Sequence, residues 1–72
     1  MFVTFQICTL KEEGSGFEEP FTLLLKTEII GMVEEVKNLP EGEQPRCLLR
    51  LLDGTILIAV GSMEQIQRDL SR

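Results

Sequence analysis

Hydrophobic and polar positions alternate with the period of a strand at the start of this chain and keep the period of a helix at its C-terminal end. Residues 2–10, rich in aromatic and β-branched side chains, read as a first strand. A period of two puts Val3, Phe5 and Ile7 on the face assigned to the core and Phe2, Thr4, Gln6 and Cys8 on the other. Residues 21–36 allow two readings. Helical spacing runs through Leu25, Ile29, Met32, Val33 and Val36, but Thr22, Thr27, the Ile29-Ile30 pair and Gly31 oppose one long helix. The reading adopted is two strands, 21–26 and 29–37, with a bend at Thr27-Glu28. Gly31 is the place for a bulge or a close backbone approach.

Residues 46–60 read as a hairpin turned at Asp53-Gly54, because Asp-Gly between apolar runs suits a two-residue type I′ turn. That turn sets Leu52 opposite Thr55, Leu51 opposite Ile56, Leu49 opposite Ile58 and Cys47 opposite Val60. The expected core face is then Cys47, Leu49, Leu51, Ile56, Ile58 and Val60. The other face carries Arg46, Leu48, Arg50, Leu52, Thr55, Leu57 and Ala59. Over residues 62–71 Ser62 and Gln65 have the spacing of a capping box, Glu64 and Arg68 suit the helix dipole, and Met63, Ile66 and Leu70 share a face. So short a helix is not stable alone, and its apolar face must cover the open end of a sheet or barrel, or a partner. The segments 11–20 and 38–45 are loops, punctuated by Gly14, Gly16 and Pro20 and by Pro40, Gly42 and Pro45. The first reads as a solvated acidic tip. A sharper alternative is a docking loop anchored by Phe17.

The expected fold is mainly β: one domain, residues 1–72, forming a small SH3-like or partly open barrel of four to five antiparallel strands with a short C-terminal helix. A hydrophobic share of 43% supports a core and argues against disorder. With four Phe and neither Tyr nor Trp, that core is aliphatic. Twelve acidic against seven basic residues leave a net charge of −5, which opposes sequence-independent binding of nucleic acid. Cys8 and Cys47 sit within apolar strands, where free thiols behave as small hydrophobes. Met1 to Leu10 lacks a basic leader, Thr4, Gln6 and Thr9 interrupt its apolar run, and no stretch approaches the ~20 apolar residues of a membrane span, so the cytoplasm is the expected location.

The catalytic inventory is thin. Without His there is no usual base for a Ser or Cys nucleophile, and two cysteines fall short of a tetrahedral zinc site within one chain. The Glu pairs at 12/13, 18/19 and 34/35 point apart along exposed backbone and stay solvated. No catalytic residue, metal or cofactor is expected, and an enzyme would need a site shared across a homodimer. The informative feature is the hairpin's outer face. Leu48 and Leu57, beside Arg46 and Arg50, are too apolar for a fully wet sheet surface and are the candidate partner-binding residues. The expected function is a small non-enzymatic protein-interaction or accessory module acting through a sheet edge or that patch, on a protein partner of unknown identity, with a second copy of the chain among the candidates. The alternative is a nucleic-acid-binding small barrel using Arg46, Arg50, Lys26 and Lys37, although that hairpin has no aromatic side chains for stacking.

Residues 21–70 carry a further pattern: an apolar strand leading into Ile30-Gly31-Met32-Val33-Glu34-Glu35, then Leu49-Arg50-Leu51-Leu52-Asp53-Gly54-Thr55-Ile56-Leu57-Ile58-Ala59-Val60, then Ser62 opening a terminal helix. In this the chain resembles the short FlbD/SwrD-type bacterial flagellar and swarming proteins. The resemblance implies a small SH3-like or half-barrel fold and an accessory role through protein contacts.

Overall fold

The apolar runs other than the C-terminal one become strands. The computed structural model describes residues 1–14 and 16–71. Along them run β1 (Phe2–Cys8), β2 (Phe21–Lys26), a single 3-10 turn (Thr27–Ile29), β3 (Ile30–Glu35), β4 (Arg46–Leu51), β5 (Ile56–Val60) and α1 (Met63–Leu70). Residues 21–36 are thus two strands and a turn, not a helix. The first and third strands end earlier than expected, at Cys8 and Glu35.

Among the described residues the strands form one antiparallel sheet in the order β2-β1-β5-β4-β3. Its two edge strands, β2 and β3, are joined by only Thr27–Ile29. So short a link forces the sheet to curl until its edges approach, giving a partly open barrel. The corner is fastened on both sides: Thr27 N–H donates to Met1 O at 2.8 Å, and Leu52 N–H donates to Ile29 O at 2.8 Å.

The core fills the concave side. Phe5, Ile7, Leu25, Cys47, Leu49, Ala59 and Ile66 are buried together, with Val3, Leu23, Leu57, Met63 and Leu70 among the partly buried side chains around them. Ile66 comes from α1, which lies over the concave face and closes it, as its apolar stripe requires. The helix starts where the sequence indicates. Ser62 Oγ accepts from Gln65 N–H at 3.2 Å, and Gln65 Oε1 accepts from Ser62 N–H at 2.9 Å. Gly61, at φ +142, makes the step from β5 into this cap, and a Cβ there would lie 3.3 Å from Gln65 Oε1.

The hairpin departs from expectation by one residue. Arg46 pairs with Val60, Cys47 with Ala59, Leu48 with Ile58, Leu49 with Leu57 and Arg50 with Ile56. A type I′ turn needs positive φ at both central residues. Only Gly54, at +94, has it; Asp53 does not. Instead Gly54 N–H donates to Leu51 O at 3.0 Å and Leu51 N–H to Thr55 O at 2.8 Å, enclosing the three-residue loop Leu52-Asp53-Gly54 with glycine in the left-handed region. The Asp53 carboxylate accepts from Thr55 N–H at 2.9 Å, which holds its pKa below the usual carboxylate range and favours this loop.

A one-residue slip moves a whole strand's side chains to the opposite face. The expected core face of β4 stands, while that of β5 is inverted: Leu57 and Ala59 point inward, and Ile56, Ile58 and Val60 point outward. Tight curling explains the choice. The row Ile7–Ala59–Cys47 crosses the middle of the concave face, where Ile66 lands, and small side chains at 59 and 47 leave it room. The same geometry settles the cysteines. Both are free and buried, β5 separates their strands, and Cys8 pairs with Ile58 on the convex face while Cys47 lies on the concave one.

The N-terminal corner carries an exposed ion pair. The Met1 ammonium lies 2.7 and 3.0 Å from the two carboxylate oxygens of Glu28, and the Thr27 hydroxyl donates to the same carboxylate at 2.7 Å. The ammonium first, and the hydroxyl second, lower the Glu28 pKa to about 2. The folded value lies below the unfolded one, so this contribution to stability is present above about pH 4.5 and is lost as pH falls toward 2. The thermal midpoint is expected to decline across that window, and Glu28→Gln or acetylation of the Met1 amine should flatten part of the decline. An unchanged profile in both would show that the pair contributes nothing.

Candidate functional site

The convex face of the sheet is where side chains remain available. Arg46, Leu48 and Arg50 point outward from β4, Ile56, Ile58 and Val60 from β5, and Met32 and Glu34 from β3. Of the expected partner-binding residues, Arg46, Leu48 and Arg50 therefore share a face. Leu57 lies on the opposite one, paired with Leu49 and packed against the core. Its place outside is taken by Ile56, which is 48% exposed and pairs with Arg50, itself paired on its other side with Met32, 51% exposed. The exposed row is Met32–Arg50–Ile56, with the half-buried row of Leu48 and Ile58 beside it. Arg50 reaches Glu34 at 3.3 Å across the strands, an exposed pair that adds little to stability. Sequence reasoning missed Ile56 and Met32 because both depend on register. The available signal was a left-handed glycine at the third loop position, the next most common hairpin closure.

Arg46 has a different role from the one expected. It is buried at 7% exposure. Its guanidinium donates to Gln44 O at 2.7 Å and to Glu43 Oε2 at 3.3 Å, and stacks 4.7 Å from the centre of the Phe17 ring. It thus ties the 11–20 loop to the 38–45 loop over one end of the convex face. Phe17, the possible docking anchor, is engaged by the chain itself, while Glu12, Glu13, Glu18 and Glu19 around it are exposed.

The basic residues do not form one patch. Arg46 is consumed between the loops, Arg50 pairs with Glu34, Lys26 ends β2 at one edge of the sheet, and Lys37 follows β3 at the other. The thiol of Cys47 is 3.4 Å from Gly61 O, and burial first, then the Glu35 charge, raise its pKa, which makes it a poor nucleophile. Among the described residues no group of His, Cys, Asp and Glu is arranged to hold a metal ion, and no helix is long and apolar enough to cross a membrane.

A second apolar surface lies at the β1–β2 side. Phe2 is 62% exposed and Leu24 59%, and both point outward on diagonally neighbouring positions, since Phe2 pairs with Lys26 and Thr4 with Leu24. The convex face therefore offers apolar side chains at both ends, separated by the Gln6–Thr22 hydrogen bond of 2.8 Å and by the Arg46 cluster. No protein-family model, no curated protein and no solved structure matches this chain.

Proposed function

We propose that this chain is a small non-enzymatic protein-interaction module, an SH3-like, partly open barrel working in the cytoplasm, that offers a partner protein the convex face or an edge of its sheet. The observation that supports this most directly is the Met32–Arg50–Ile56 row. Two exposed apolar side chains flank an arginine on a regular sheet surface, with Leu48 and Ile58 extending the apolar area behind them. An apolar area of this kind, rimmed by charge, is characteristic of a contact surface, with Arg50 and Glu34 at its rim for register and specificity. An accessory role of this kind also agrees with the resemblance to the FlbD/SwrD-type proteins.

The test is an affinity pull-down from the native cell with wild type and Ile56→Glu. The variant is expected to keep the circular-dichroism spectrum and melting temperature of wild type and to lose the captured partner. Equal capture by both proteins would remove the convex row as the contact surface. Leu57→Glu is unsuitable as the comparison, since that side chain belongs to the core.

A further inference from the structure

The two edges of the sheet are not alike. β3 carries a register irregularity between Ile30 and Met32 and ends in Glu34-Glu35. Bulges and charges of this kind keep an edge from adding another strand. β2 has neither. Its residues pair with β1 in unbroken register from Phe21 to Lys26, and Lys26 is the one charged residue in it. The direction of its free groups follows from a single bond. Thr27 N–H donates to Met1 O, so Thr27 and Met1 form a hydrogen-bonded pair. Alternation along an antiparallel ladder then turns Leu25, Leu23 and Phe21 toward β1, and leaves the amides of Thr22, Leu24 and Lys26 and the carbonyls of Thr22 and Leu24 directed away from the sheet, while the Lys26 carbonyl caps the 3-10 turn.

We propose that the β2 edge takes a second copy of this chain, antiparallel, with Leu24 on the two-fold axis. This deepens the reading above, on which it rests, by naming the edge and its occupant. The outward groups are self-complementary about Leu24: Leu24 meets Leu24 of the other copy and exchanges both bonds, and Thr22 meets Lys26, whose N–H donates to Thr22 O. Such a contact is isologous and closed, limited to two chains. On the convex side the exposed Leu24 and Phe2 of one copy continue into those of the other, covering the second apolar surface. Charge favours the same orientation. The Lys26 end of one strand runs toward the Glu18-Glu19 segment that precedes β2 in the other, whereas a parallel arrangement would set like ends together. One strand pair with its flanking side chains covers less than the ~1,200 Å² of a firm interface, so the dimer is concentration-dependent.

Sedimentation velocity over a concentration series reads the result. Wild type is expected to pass from 8.2 kDa toward twice that mass as concentration rises, and Leu24→Lys to stay at the lower mass with an unchanged melting temperature. Leu24→Cys supplies the positive measurement. Directly opposed residues of a hydrogen-bonded pair have Cα atoms about 5.5 Å apart, within disulfide range, so mild oxidation should link two copies. Thr22→Cys, on the same face but opposite Lys26, should link far less. Cys8 and Cys47 are buried and do not compete. A wild type that stays monomeric throughout, or equal linking by the two cysteine variants, overturns the dimer. The two readings fail separately: a monomeric wild type that still captures a partner through Ile56 removes only the dimer, and a dimer that breaks with Leu24→Lys stands whatever Ile56 captures.

Discussion

Leu57→Glu is expected to unfold the domain, and Ile56→Glu to leave it folded. The two positions are adjacent, similar in volume and hydrophobicity, and opposite in consequence because β5 has one register. Leu57 pairs with Leu49, which is fully buried, and packs against the cluster that Ile66 closes. A carboxylate there forfeits the burial of a leucine and brings a charge against an apolar core, on the order of 3 kcal/mol or more. A chain of 72 residues has a total stability of about 4–11 kcal/mol, so the loss takes much or all of it. Ile56 is 48% exposed on the convex face, and its substitution should change stability by less than about 0.5–1 kcal/mol. Urea titration followed by circular dichroism measures both. The reverse ranking, with Ile56→Glu unfolded and Leu57→Glu native, would mean that the hairpin closes through a two-residue turn after all.

That pair of positions also marks where the sequence stops being legible. Alternation identified β1 and the inward face of β4, because apolar and polar residues differ there: Val3, Phe5 and Ile7 against Thr4 and Gln6, or Leu49 against Arg50; β2 and β3 were legible because Thr22, Thr27, the Ile29-Ile30 pair and Gly31 oppose one long helix. Ser62 and Gln65 announced the helix, because a capping box is a local device that tertiary packing does not override. In β5 every residue from Ile56 to Val60 is apolar, so alternation has no contrast and the face rested on the turn alone. Asp-Gly is compatible with two closures that differ by one residue, and the packing of Ala59 against Cys47 under Ile66 selects between them. The candidate site inherited this error at Leu57 and not at Leu48 or Arg50. Arg46 was illegible for another reason. Nothing in its own strand shows that Phe17, far away in sequence, closes over it together with Glu43.

Ile66→Ala should bring down the sheet as well as the helix. Eight residues are too few to hold a helix in water, so α1 exists because its apolar stripe is docked. Ile66, at 2% exposure, is the side chain through which it enters the cluster of Phe5, Ile7, Leu25, Cys47, Leu49 and Ala59. Truncation to Ala removes transfer energy and leaves a cavity, a loss of about 2–5 kcal/mol. In a domain of this size that corresponds to a fall in melting temperature of roughly 10–30 °C. The loss is not confined to the helix, since Leu49 and Ile7 share one buried cluster with Ile66 and lose that cover once α1 lifts; the two elements are therefore expected to share one cooperative transition. Hydrogen exchange resolved by residue distinguishes the cases. Amides of α1 and of β4 and β5 should lose protection together in Ile66→Ala, while Gln67→Ala, exposed on the same helix, stays near wild type. Protection lost in α1 alone, with the sheet unchanged, would mean that the curled sheet is stable without its lid and that the helix is an ornament to the core, not part of it.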